Sequence, residues 1–107
     1  MQMIGFVRDK ALQRLVEQGD GKGLPPEMLN RLNRLNRLNR LNRLKRMRTT
    51  LHAADDLKLL ETVPGWRLHA LKGELSGYWS LSVSGNWRLI FKWQDGSANE
   101  LDLVDYH

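Results

Sequence analysis

The chain has 107 residues, a net charge of +5 and no cysteine. This length supports one domain, 1–107, with a modest core, and the missing thiols exclude a disulfide framework, a thiolate nucleophile and a cysteine zinc site. Three scattered histidines give no helical ligand pair, no apolar run approaches a membrane span, and MQMIGFVRDK lacks a signal-peptide layout, so a cytoplasmic protein with no metal site or membrane partner is expected.

Ile4 to Val7 predicts a short opening strand. Asp9 then caps a helix that carries Leu12, Leu15 and Val16 on one face and stops at Gly19. After the loop GDGKGLPP, Pro26 and Glu27 suit a helix start, and a long helix is expected from 26 to 53.

Within that helix, Asn-Arg-Leu repeats five times from Asn30 to Leu44. Eight of the 17 basic residues lie between Arg31 and Arg48, where there is no acid, and removing four triplets would take the charge from +5 to +1. The basicity therefore belongs to the repeat and is no independent sign of nucleic-acid binding.

Three residues turn an α-helix by about 300°, so each repeat leucine falls about 60° behind the one before. Leu29 and Leu32 can pack at one end and Leu44, Met47 and Leu51 at the other, on faces about 120° apart. Leu35, Leu38 and Leu41 swing round the far side, toward solvent or a partner. A 3₁₀-helix would align the leucines but seldom runs beyond three or four residues.

A helical turn through Leu57, Leu59 and Leu60 follows Asp55 and Asp56. GWRLHALKG, GYWSLSVSG, NWRLIFKWQDG and SANELDLVDYH then predict four strands of an antiparallel meander, the last two joined at Asp95-Gly96. Parity places Trp66, Leu68, Trp79, Leu81, Val83, Trp87, Leu89, Phe91, Trp93, Leu101 and Leu103 on one apolar face for the helices to cover. His69, Arg88, Lys92 and Tyr106 take the other face, beside Tyr78, Ser80 and Ser82. The fold class is α+β.

WRLHALKGELSGYWSLSVSGNWRLIFKW and the closing VDYH, with the IGF strand, the Gly-rich loop and the GLPPE helix start, resemble HigB-type toxins of the RelE/ParE superfamily. The resemblance covers most of residues 3 to 107; relatives look like this chain with about four triplets removed. It implies a RelE-like fold and a ribosome-dependent endoribonuclease that cuts mRNA in the A site of the 70S ribosome. It further implies no metal or organic cofactor, and restraint by a HigA-type antitoxin.

RNA cleavage through the 2′-hydroxyl needs a base for that oxygen, an acid for the departing 5′-oxygen and positive charge on the phosphorane. By the resemblance His107 leads the acid/base candidates, and His69 contacts the reacting nucleotide or assists proton transfer. Arg88 offers a planar fork for the phosphorane, and Lys72 and Lys92 supply charge for substrate phosphate. Tyr106 stacks on a base or orients the 2′-hydroxyl, while Asp105 orients its neighbours or merely solvates the strand end. Common parity makes Trp79, Trp87 and Trp93 core residues, and His52 a surface residue of the long helix.

Two other functions fit parts of the sequence. Arg34, Arg37 and Arg40, with the neighbouring repeat arginines, suit a helical module for RNA phosphate, and Leu35, Leu38 and Leu41 suit self-association through the long helix. A gyrase-poisoning role, from another branch of the superfamily, is disfavoured by His69, Lys72, Arg88, Tyr106 and His107 occurring together.

Overall fold

The alternation of apolar and polar residues from Trp79 onward becomes a ladder of antiparallel strands in the computed structural model. The structure describes residues 3–18, 24, 26–37, 40–85 and 87–106. In chain order these form β1 (Met3–Arg8), α1 (Asp9–Gln18), α2 (Pro26–Arg37), α3 (Arg40–Ala53), α4 (Leu57–Glu61) and β2 (His69–Ala70). A 3₁₀ turn (Gly73–Leu75), β3 (Trp79–Ser84), β4 (Trp87–Gln94) and β5 (Ser97–Tyr106) complete the order.

The sheet runs β1-β5-β4-β3-β2, and the four neighbouring pairs are antiparallel. The opening strand thus joins the meander at its far edge, beside β5, making five strands where four and a separate strand were expected. Its closing partner β5 is consequently an inner strand, paired on both sides.

The strand expected over 65–73 is cut to His69 and Ala70. Trp66 closes a turn on Val63, and Arg67 takes φ 51°, a left-handed conformation that breaks an extended ladder. Gly73, at φ 71°, turns the chain again. Pairing persists through single bonds: the Ser82 amide donates to the Trp66 carbonyl at 2.7 Å, and Leu71 to Tyr78 at 2.9 Å.

One face of the sheet carries the core. Leu81, Val83, Trp87, Leu89, Phe91, Leu101 and Leu103 are buried there with Trp66, and Leu68, Trp79 and Trp93 pack against them, as parity predicts. From the helices come Leu15, Leu44, Met47, Leu51 and Leu60. Leu44, Met47 and Leu51 lie at i, i+3 and i+7 of α3 and are fully buried, each worth roughly 1.5–3 kcal/mol of apolar transfer. Asp56 caps α4 by accepting from the Lys58 amide at 2.9 Å.

The single helix expected over 26–53 is described in two segments, α2 and α3, and Leu38 and Asn39 between them lie outside the described residues. Both segments are α-helical. The last repeat unit is built into the core: Leu44 is buried, and Arg43 Nη2 donates to the Gly65 carbonyl at 3.1 Å and to the Ser82 carbonyl at 3.3 Å. Upstream, Asn30, Asn33 and Arg34 are exposed and Leu29 is half-buried. Among the described residues no helix is long and apolar enough to cross a membrane.

Candidate active site

The second face of the sheet is held by alternation alone. Because Leu89 and Phe91 point into the core, Arg88, Ile90 and Lys92 must point away from it. Register carries the same face across the sheet: Arg88 lies opposite Ser82 on β3 and Val104 on β5, and Ser80 lies opposite His69 and Ile90. Two strands and two residues separate His69 from Arg88, a Cα distance of about 12 Å.

Tyr106 follows Val104 by two on β5, which makes its backbone a diagonal neighbour of Arg88 at about 7–8 Å. Its side chain and the whole of His107 lie outside the described residues.

His69 is exposed, and its Nδ1 sits 3.1 Å from the Arg67 carbonyl. A carbonyl only accepts, so Nδ1 carries the proton; Nε2 of the neutral ring is then the proton-accepting nitrogen. The left-handed backbone at Arg67 that truncates β2 is also what presents this carbonyl. Arg88 Nη1 donates to the Gly85 carbonyl at 2.7 Å and the Trp87 carbonyl at 3.0 Å, which fixes the guanidinium over the β3–β4 turn. Both bonds use one nitrogen of the fork.

Lys92 pairs with Glu100 at 3.0 Å, and its Nζ stands 5.1 Å from the centre of the Tyr78 ring. The hydrogen bond and charge of Glu100, and then Tyr78, raise its pKa above the ordinary lysine value, so it is cationic. Lys72 is exposed, at the start of the 3₁₀ turn three residues beyond His69.

Asp105 is placed differently from the other candidates. It lies opposite Trp87, shares that residue's helix-covered face and is 4% exposed. The expectation that it solvates the strand end is therefore corrected: Asp105 is buried on the helix-covered face, and alternation turns it away from Arg88.

The centre of the open face is less polar than the sequence implies. Ile90 and Val104 are fully buried under Leu71, Leu75 and Tyr78, which fold over from the β2–β3 connection. Ser80 is buried there too, its hydroxyl without a hydrogen-bond partner among the described residues. Sequence reasoning also missed Asp102, 7% exposed, on the Arg88 face between Ile90 of β4 and Arg8 of β1. Burial raises its pKa to about 6, against the opposing pull of the Arg8 charge and the Asp9 amide. The available signal was an acid in the middle of an apolar strand, between two core leucines.

Asp9, beside it at the start of α1, forms a two-pronged ion pair with Arg48 of α3, at 2.7 and 3.2 Å. His52 stands 3.9 Å from the same carboxylate and is exposed, in agreement with its expected surface position. Among the described residues no three His, Asp or Glu side chains gather to hold a metal ion.

A five-stranded meander backed by helices, with Arg88 and Lys92 on its second face, is the architecture of a RelE-like toxin. Residues 6–107 match the family described as RelE-like toxin of type II toxin-antitoxin system HigB, and the chain belongs to that family. It is 31% identical over 107 residues to a protein named Endoribonuclease HigB from Proteus vulgaris, covering 98% of this chain and all of the relative. Toxin HigB-1 of Vibrio cholerae serotype O1 is 44% identical over 48 residues, covering 45% of this chain and 50% of that protein.

Proposed function

We propose that the chain is the toxin half of a type II toxin–antitoxin pair and acts as an endoribonuclease on mRNA in the A site of the 70S ribosome. It would work in the cytoplasm and be held by a HigA-type antitoxin. The observation that carries this reading is the convergence of His69, Arg88 and the end of β5 on one sheet face, in a chain matched end to end by a relative named as an endoribonuclease.

The proposed reaction is attack of the 2′-oxygen on the adjacent phosphorus, with departure of the 5′-oxygen. Nε2 of His69 is set to take the 2′-proton, with Tyr106 orienting that hydroxyl, and His107 returns a proton to the leaving oxygen. The remaining nitrogens of the Arg88 fork stabilise the phosphorane, whose charge exceeds that of the ground-state phosphate. Lys72 and Lys92 hold flanking phosphates. No metal or organic cofactor enters these steps.

This scheme leaves a 2′,3′-cyclic phosphate and a 5′-hydroxyl. Incubation with translating ribosomes on a defined messenger, followed by end-group analysis, tests it. Those termini at A-site codons, and no cuts in the same RNA without ribosomes, are expected; 3′-hydroxyl termini would overturn the mechanism, and equal cutting of free RNA would overturn ribosome dependence.

Leu35, Leu38 and Leu41, with Arg37 and Arg40, have no described side chains, so self-association or RNA contact through the repeat stays a separate proposal. Light scattering across a concentration series tests the first, and RNA binding after neutralising Arg34, Arg37 and Arg40 tests the second.

A further inference from the structure

Lys92 lies four residues from Arg88 on the same face of β4, about 13 Å along the strand. Nothing in the proposed chemistry accounts for what surrounds it. Its ammonium stands over the Tyr78 ring, and the ring packs against the buried Ile90–Val104 pair of the sheet. An aromatic plane is therefore fixed to the sheet, with a partly exposed cation over it.

The third member is Glu100. Ile90 pairs with Asp102 and Lys92 with Asn99, so Glu100 and Leu101 together oppose Phe91, which is a β-bulge. Glu100 takes φ 51° in that bulge, a conformation unfavourable for a residue with a side chain. The distortion delivers a carboxylate oxygen to Lys92 at 3.0 Å, although Glu100 is 57% exposed and such a surface pair contributes little to stability. An anion is held on a cation at small cost of removal.

We propose that Tyr78, Lys92 and Glu100 form a nucleotide subsite beside the scissile position, in which Glu100 stands in for an RNA phosphate until substrate arrives. The phosphate takes Lys92 from Glu100, the ammonium leaves the ring, and the uncovered face of Tyr78 stacks a base. This rests on the reading of the Arg88 face as the RNA-cleaving face and extends it along β4 to a second nucleotide.

The test uses fluorescence anisotropy of the full chain with a labelled single-stranded RNA hexamer, 2′-O-methylated to block cleavage, and with an abasic version of the same backbone. Tyr78→Leu should weaken hexamer binding roughly five- to 150-fold, the equivalent of one stacked base, while Tyr78→Phe keeps it and the abasic oligomer registers neither change. Lys92→Gln should weaken both oligomers, and Glu100→Gln should tighten both several-fold.

Equal losses on the two oligomers with Tyr78→Leu, or no gain with Glu100→Gln, would overturn the subsite. Because Glu100 is exposed, its variant decides the matter even where Tyr78→Leu folds poorly. If Arg88→Ala weakens binding while the Tyr78, Lys92 and Glu100 variants do not, the subsite fails and the nuclease face stands. If Arg88→Ala also leaves binding unchanged, the subsite fails all the same, and the nuclease reading is decided by cleavage on ribosomes.

Discussion

Arg43 of the last repeat unit donates to the carbonyl of Ser82, the residue paired with Arg88 across β3 and β4. The repeat is thereby tied to the strand that positions the proposed phosphorane ligand. Arg43→Ala removes both carbonyl bonds and should cost about 1–3 kcal/mol, seen as a lower melting temperature. Arg43→Met keeps the stem packed and should recover part of the loss.

Among the described residues, the helical phase of the repeat is fixed by core packing at its downstream end. A three-residue insertion between Lys45 and Arg46 turns Leu44 about 60° away from Met47 and Leu51, and should cost several kcal/mol, in the range of Leu44→Ala at about 2–5 kcal/mol. Deleting Asn33 to Leu35, where Asn33 and Arg34 are exposed, should cost about 1 kcal/mol or less. Urea titration of the two variants checks the contrast; equal losses would mean that the whole run is packed.

Asp102 gives stability a pH dependence opposite to that of an ion-paired carboxylate. Its folded pKa is raised to about 6, so between the ordinary carboxylate range and that value the folded state binds more protons than the unfolded chain. The contribution is complete below about pH 4 and lost as pH rises through about 6. Asp102→Asn should therefore stabilise the protein at pH 7.5 by about 2–3 kcal/mol, by roughly half as much at pH 5 and hardly at all at pH 3.5, measured by chemical denaturation at the three values.

Much of this arrangement was legible in the sequence because strand parity and helical phase depend on neighbours along the chain. They place Leu44, Met47 and Leu51 under the sheet and separate Trp87 from Arg88; the same parity carries Asp105 inward with Leu103, a step the sequence reading did not take. What escaped depends on contacts across the chain. Leu71 and Leu75 fold over Ile90 and Val104 only because Gly73 and Gly77 turn the connection back. Asp102 acquires its raised pKa from burial between β1 and β4, and β1 had no legible partner. Arg67 cuts β2 short through a left-handed backbone that its residue type does not announce.

The central claim is that the Arg88 face cuts RNA. Primer extension on translating ribosomes carrying a defined messenger, with wild type, Arg88→Lys, Arg88→Ala and a deletion of His107, tests it most directly once each variant is shown to melt cooperatively. Wild type should cut at A-site codons, and Arg88→Ala should cut about 100- to 1,000-fold more slowly, as loss of a transition-state donor requires. Arg88→Lys should fall between, since it keeps the charge and loses the fork, and the His107 deletion should be inactive. Undiminished cutting by folded Arg88→Ala and by the deletion would contradict the assignment of this face.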